Sequence, residues 1–209
     1  MIATVVGSGP GLCKHVAAAT AGADVVITCN RAIRAYPNPT HHLVFDPEAA
    51  TLLFDDWVGA VKRGVTLVLN PAIEGIEGFE DIPGERLAVD PVFDCTARGC
   101  PRPGRFSYVR GRCTQSCSSG GLALQWVLNR GATDVRVVGC EGYRSNKFKI
   151  VEDYFDGEMG VRKGALNTDK QAKLIRSCIA ACPDVKFTFY GDLAYTLPAH
   201  VVIVRPEQT

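Results

Sequence analysis

At 209 residues, the chain has the length of one generous domain, or of one domain with a small subdomain. Its 46% hydrophobic and 22% charged residues lie near the globular average and exclude collagen-like, disordered and mucin-like chains. The balance of 23 basic against 22 acidic residues argues against a surface built throughout to grip duplex DNA, while leaving room for a local basic stripe.

Short β-branched runs alternate with amphipathic stretches, the pattern of parallel strands joined by helices. Ile2 to Val6 reads as a buried strand ending in Gly7-Ser8-Gly9-Pro10-Gly11, followed by a helix from Leu12 to Ala21 with good helix propensity. Asp24 to Cys29 is a second strand delivering Asn30, and Leu43 to Phe45 a third delivering Asp46. Glu48 to Lys62 reads as one helix, with Leu53, Trp57, Ala60 and Val61 on a single stripe. Val65 to Leu69 is a fourth strand delivering Asn70, residues 72–84 read as a surface loop, and Leu87 to Phe93 as a short strand.

A Pro/Gly-rich excursion over 94–117 carries Arg98, Arg102, Arg105, Arg110 and Arg112, with Phe106 and Tyr108 among them. Such a loop is either a solvated surface or a dock for a polyanion. The pattern then resumes. Ser118-Ser119-Gly120-Gly121 opens an apolar helix to Asn129, and Val135 to Gly139 is a strand delivering Cys140-Glu141-Gly142-Tyr143. Residues 144–166, with Lys147, Lys149, Arg162 and Lys163, read as a lid. Thr168-x-x-Gln171 is a capping box that starts the last helix, and Val185 to Tyr190 and Val201 to Val204 supply two more strands. With no repeat and no linker, the expectation is a single Rossmann-like α/β domain over 1–209, a three-layer sandwich with a mostly parallel sheet. No apolar run approaches the ~18 residues that span a bilayer. The N-terminus lacks the basic start of a signal peptide, so a cytoplasmic protein without a membrane span is expected.

Ligands of open parallel sheets lie at the carboxyl ends of the strands, near the point where strand order reverses. The candidates are therefore Gly7 to Gly11, Asn30, Asp46, Asn70 and Glu141 to Tyr143. Two glycine-rich helix starts, at Gly7–Gly11 and at Ser118–Gly121, offer backbone N–H groups and hydroxyls to an anion. A tight ligand-free turn and a serine N-cap are the plain alternatives. The first loop is not a dinucleotide fingerprint, because position 12 is leucine.

Gly7-Ser8-Gly9-Pro10-Gly11-Leu12 after a strand, Cys29-Asn30-Arg31 after the next and Asp46-Pro47 after a third resemble the start of the single-domain bacterial sialyltransferases. Ser118 to Leu124, then Val135 to Tyr143, resemble that family's second signature. The archaeal-type 6-hydroxymethyl-dihydropterin diphosphokinases share much of the pattern, and the resemblance covers residues 1–50 and 114–146. It implies a nucleotide-sugar donor held by Gly7, Ser8, Gly9 and Asn30. Ser118, Ser119 and Gly120 would lie at the donor's phosphate or sugar carboxylate, and Tyr143 on the departing phosphate. It implies no required cofactor. The acceptor is undefined: a glycan, a small molecule or a modified nucleic acid.

The sequence departs from the family in one respect. Its histidine base follows the tyrosine signature, whereas none of His15, His41, His42 and His200 lies between Tyr143 and the final helix. Asp46 or Glu141 is then the candidate general base, with helix capping or loop fixing as the plain alternative for both. Two carboxylates around phosphates also suit a Mg²⁺-dependent pyrophosphoryl transfer, and a non-catalytic nucleotide-binding module is the third reading.

Nine cysteines read first as reduced thiols. Cys95, Cys100, Cys113 and Cys117 can also frame zinc or close as two disulfides, although their spacing is looser than paired C-x2-C knuckles. Cys178 and Cys182, one helical turn apart, read as core. The basic arc of Arg98–Arg112 and Lys147–Lys163 is expected to flank the crevice.

Overall fold

The computed structural model describes residues 1–9, 11–44, 47–73, 82–90, 108–114, 118–141 and 168–205. The first half runs β1 (Ile2–Val6), α1 (Leu12–Thr20), β2 (Val25–Cys29), α2 (Ala32–Ala35), β3 (His41–Val44), α3 (Pro47–Leu52), α4 (Phe54–Lys62), β4 (Thr66–Leu69) and β5 (Gly84–Arg86). A small pair, β6 (Val89–Asp90) and β7 (Cys113–Thr114), precedes α5 (Ser119–Asn129), β8 (Asp134–Val138), α6 (Thr168–Ala181), β9 (Lys186–Tyr190) and β10 (Val202–Val204). The main sheet has eight strands in the order β10-β9-β8-β1-β2-β3-β4-β5, and every pairing in it is parallel. This is the expected Rossmann-like α/β sandwich.

Side chains alternate across each strand, and the alternation divides the core. Ala3, Val5, Ile27, Cys29, Val135, Val137, Phe187 and Phe189 pack against α5 and α6. Val6, Val26 and Val138 face α1 and α2, and Val44, Leu67 and Leu69 face Leu53 and Trp57 of the α4 region. The helix ends are tied to the sheet by polar contacts. Thr4 donates its hydroxyl to Ala19 O at 2.8 Å, and the Arg136 guanidinium reaches Ala21 O at 2.6 Å, placing a cation where a helix carboxyl end favours one.

A second buried polar pair lies inside the sheet. The Thr28 hydroxyl and His42 Nδ1 are 2.7 Å apart, His42 is fully buried, and its ring lies 5.9 Å from that of Trp57. Burial pulls the His42 pKa down from 6.5 to about 3, so the imidazole is neutral at physiological pH.

Three local expectations change. The single helix over 48–62 is broken at Leu53 (φ −112°, ψ 16°), which turns Leu53 into the core beside Trp57. The edge strand is Gly84–Arg86, within and just after the expected surface loop. Leu87, expected in a strand, follows it as a buried residue whose N–H bonds Leu69 O at 2.9 Å. The four-residue α2 is too short to carry a hydrophobic period. No helix among the described residues is long and apolar enough to cross a membrane.

Candidate functional site

Strand order reverses between β1 and β8, which pair in register from Ile2↔Asp134 to Val6↔Val138. The loops leaving these two strands interlock. Gly7 N–H donates to Val138 O and Gly9 N–H to Gly139 O, each at 2.8 Å. Gly139 has φ +70°, a backbone region that favours glycine, and a Cβ on Gly7 would collide with its carbonyl oxygen. The glycines here serve close backbone approach.

The second glycine turn meets the same place. Cys140 Sγ would lie 2.6 Å from a Cβ on Gly7 and 2.7 Å from one on Gly120, so the sulfur is wedged between the two turns. Asn30 donates its side-chain amide to Ser119 Oγ at 3.1 Å and holds φ +50°, with its Oδ1 enclosed and lacking a hydrogen-bond partner among the described residues. Ser8 donates to Cys29 O at 3.3 Å, and Ser118 is the N-cap of α5, accepting from Gly121 N–H at 3.1 Å. The fold thus gathers Gly7, Ser8, Gly9, Asn30, Ser118, Ser119, Gly120 and Glu141 from four segments at one edge of the sheet. Asp46 and Tyr143 lie outside the described residues, as do Lys147, Lys149, the lid over 144–166 and Arg98, Arg102 and Arg105.

Glu141 is 2% exposed. Its Oε1 accepts from Gly11 N–H at 2.8 Å, while Oε2 is buried without a hydrogen-bond partner among the described residues. A Cβ on Gly9, Gly11 or Gly191 would run into this carboxylate, so three glycines form its cradle. Burial pushes its pKa up, backbone N–H groups of Gly11 and Gly139 oppose the rise, and the nearby Asp192 adds to it. The first loop therefore differs from a row of open amides: those of Gly7, Gly9 and Gly11 all donate within the protein.

The segment after β9 completes the clamp. Ala194 N–H donates to Glu141 O at 2.8 Å, and the Tyr195 hydroxyl to Cys140 O at 2.7 Å. Gln171 also reaches Cys140 O, at 3.4 Å. Ala194 and Tyr195 do not emerge from the sequence reading, which gives Gln171 only a helix-capping role. Gly191-Asp192 directly follows a strong strand, so the strand-end rule applied to β9 would have found the segment.

The basic arc is placed differently where it is described. α5 runs antiparallel to the strands, so residues packed at its carboxyl end lie at the amino edge of the sheet. Tyr108 donates its hydroxyl to Asn129 Oδ1 there at 2.6 Å, and Arg110 pairs with Asp184, just before β9, at 3.0 Å. Arg112 lines a separate cavity of about 460 Å³ with Glu85, Trp126, Asn129 and Arg130. Arg110 and Arg112 consequently stand away from the crevice. His41 and His42 also begin β3 at this far edge. Burial lowers the His41 pKa, with Arg130 adding to the effect.

Thiol chemistry is disfavoured at the crevice. Burial pushes Cys140 to about 12 and Cys29 well above its ordinary value, so neither is a thiolate at neutral pH. Of the four candidate zinc ligands only Cys113 is described. Its Sγ accepts from Asn129 Nδ2 at 3.2 Å, and burial raises its pKa to about 11. Cys95, Cys100 and Cys117 lie outside the described residues. No group of three or more His, Cys, Asp or Glu side chains able to hold a metal ion occurs among the described residues. Cys178 and Cys182 are core residues.

Chemically, the crevice offers an amide, hydroxyls, the amino end of α5 and an enclosed carboxylate. We find no match to this chain among protein-family models, curated proteins or solved structures.

Proposed function

We propose that the protein binds a nucleotide sugar in the crevice above β1 and β8 and transfers its glycosyl group to an acceptor. Asn30 carries the reading. Its left-handed backbone is a conformation that non-glycine residues keep where the surroundings over-determine it, often at ligand sites, although asparagine tolerates it better than most. Its amide is fixed on Ser119, and its enclosed Oδ1 is an acceptor suited to a ribose or sugar hydroxyl.

In this reading the amino end of α5, with Ser119 and Gly120, faces the donor's phosphate or sugar carboxylate, and Tyr143 faces the departing phosphate. Gly7, Ser8 and Gly9 form the floor. Asp46 and Glu141 are the two carboxylates available as general base. The enclosure of Glu141 by three glycines supports giving that role to Asp46. Thermal shift against CMP, UDP, GDP, ATP and the corresponding nucleotide sugars, with and without Mg²⁺, tests the reading. A metal-independent shift with one nucleotide and its sugar is expected; no shift with any ligand overturns it. Asp46→Asn is expected to keep binding and lose turnover by about 10²–10⁴-fold.

One observation favours a second reading, Mg²⁺-dependent pyrophosphoryl transfer. Asp192 stands near enough to Glu141 to raise its pKa, which brings carboxylates together at adjacent strand ends. A shift confined to ATP with Mg²⁺ would select it.

A further inference from the structure

We propose that Glu141 is a specificity determinant: it is the resident anion of the α1 amino terminus and keeps ligand phosphate or carboxylate off the first glycine loop. The inference deepens the nucleotide reading above, because it directs the anionic part of a ligand away from this loop and leaves an uncharged part, such as a pentose or base, to lie over it.

Three observations carry it. First, α1 has nine residues and no local side-chain cap, so its amino end would ordinarily attract an anion. Second, the carboxylate that fills this end comes from 130 positions away, with Gly11 N–H on Oε1. Third, Oε2 is buried without a hydrogen-bond partner among the described residues, and the residue is 2% exposed. The charge is held by backbone N–H groups alone, those of Glu141 itself, Gly11 and Gly139, so a ligand anion approaching Gly11 meets a like charge in a poorly screened setting. The glycines explain themselves on the same basis. A Cβ at position 9 or 11 would displace the carboxylate, so the loop's composition serves Glu141 where a phosphate loop's would serve its ligand.

Inorganic phosphate is the probe, which makes the test independent of any nucleotide. The ¹⁵N–¹H resonances of Gly9 and Gly11 are followed during phosphate titration of the wild type, Glu141→Ala and Glu141→Ser, with a thermal melt to confirm that each is folded. The wild-type Gly11 resonance is expected to stay in place. In the folded variants it should move, with apparent phosphate affinity at that amide higher by on the order of tenfold. Movement of Gly11 in the wild type overturns the proposal, and so does a folded variant whose Gly11 ignores phosphate. Failure of the nucleotide panel with this result intact would remove the nucleotide reading and leave the anion exclusion standing.

Discussion

Gly11 and Glu141 are 130 positions apart, yet the backbone N–H of one donates to the carboxylate of the other at 2.8 Å. This bond closes the gap between the loops leaving β1 and β8 and fixes the start of α1. It makes the glycine loop part of a cradle built around one side chain.

The cradle predicts an order of substitution effects. Gly7→Ala drives a Cβ into the backbone carbonyl of Gly139, whereas Gly11→Ala collides with the end of the Glu141 side chain and is in ordinary contact with the Gly191 backbone. Urea unfolding should show Gly7→Ala destabilising by about 3 kcal/mol or more and Gly11→Ala by about 1–2 kcal/mol. Glu141→Ala should relieve the second and leave the first unchanged, a non-additivity expected only of groups in contact.

The raised pKa of Glu141 predicts a pH signature. A carboxyl whose folded pKa lies above its unfolded value binds more protons when folded, so its contribution is complete below the ordinary value of 4.5 and is lost as pH rises through the folded value. Asp192, facing it from the segment after β9, reinforces the rise. Glu141→Gln keeps an oxygen for Gly11 and carries no charge. Its melting temperature relative to wild type should therefore increase from pH 4 to pH 7; a constant difference would contradict this assignment.

His42 sets an acid limit. Its pKa falls from 6.5 unfolded to about 3 folded, so the unfolded chain binds the extra proton between these values. Stability should decline by up to about 5 kcal/mol as pH drops through that window. His42→Leu combined with Thr28→Val removes both members of the buried pair and should flatten this part of the stability–pH curve measured by urea unfolding. His42→Leu alone leaves the Thr28 hydroxyl without its His42 partner, at a cost of about 1–3 kcal/mol.

Asn30 separates backbone strain from side-chain function. Glycine adopts φ +50° freely, whereas alanine there should cost about 1–2 kcal/mol. Chemical denaturation should rank Asn30→Gly above Asn30→Ala in stability, with both variants lacking the amide contact to Ser119.

Much of the fold is legible in sequence because β1, β2, β8 and β9 are β-branched or aromatic runs that end in glycine or asparagine. β5 is not, since Gly84-Glu85-Arg86 is a polar edge strand with only one half-buried residue and carries no hydrophobic period. The strand-end rule leads to Asn30 and Glu141 because Asn30 directly follows β2 and Glu141 stands two residues past the glycine that follows β8. It does not reveal that Glu141 occupies the helix end expected to stay open, since that depends on a contact spanning most of the chain. The placement of Arg110 and Arg112 was equally hidden, because it follows from the direction of α5.

The central claim is that the crevice joining Asn30 to Ser119 holds a nucleotide sugar. Isothermal titration of the nucleotide sugar giving the largest metal-independent thermal shift, into wild type and Asn30→Gly, tests it most directly. Asn30→Gly keeps the backbone relaxed and removes the amide. Saturable 1:1 binding without Mg²⁺ is expected in the wild type, with affinity at least about tenfold weaker in the variant, the loss expected for one or two hydrogen bonds. Equal affinity in the two proteins, or no binding to the wild type, would contradict it.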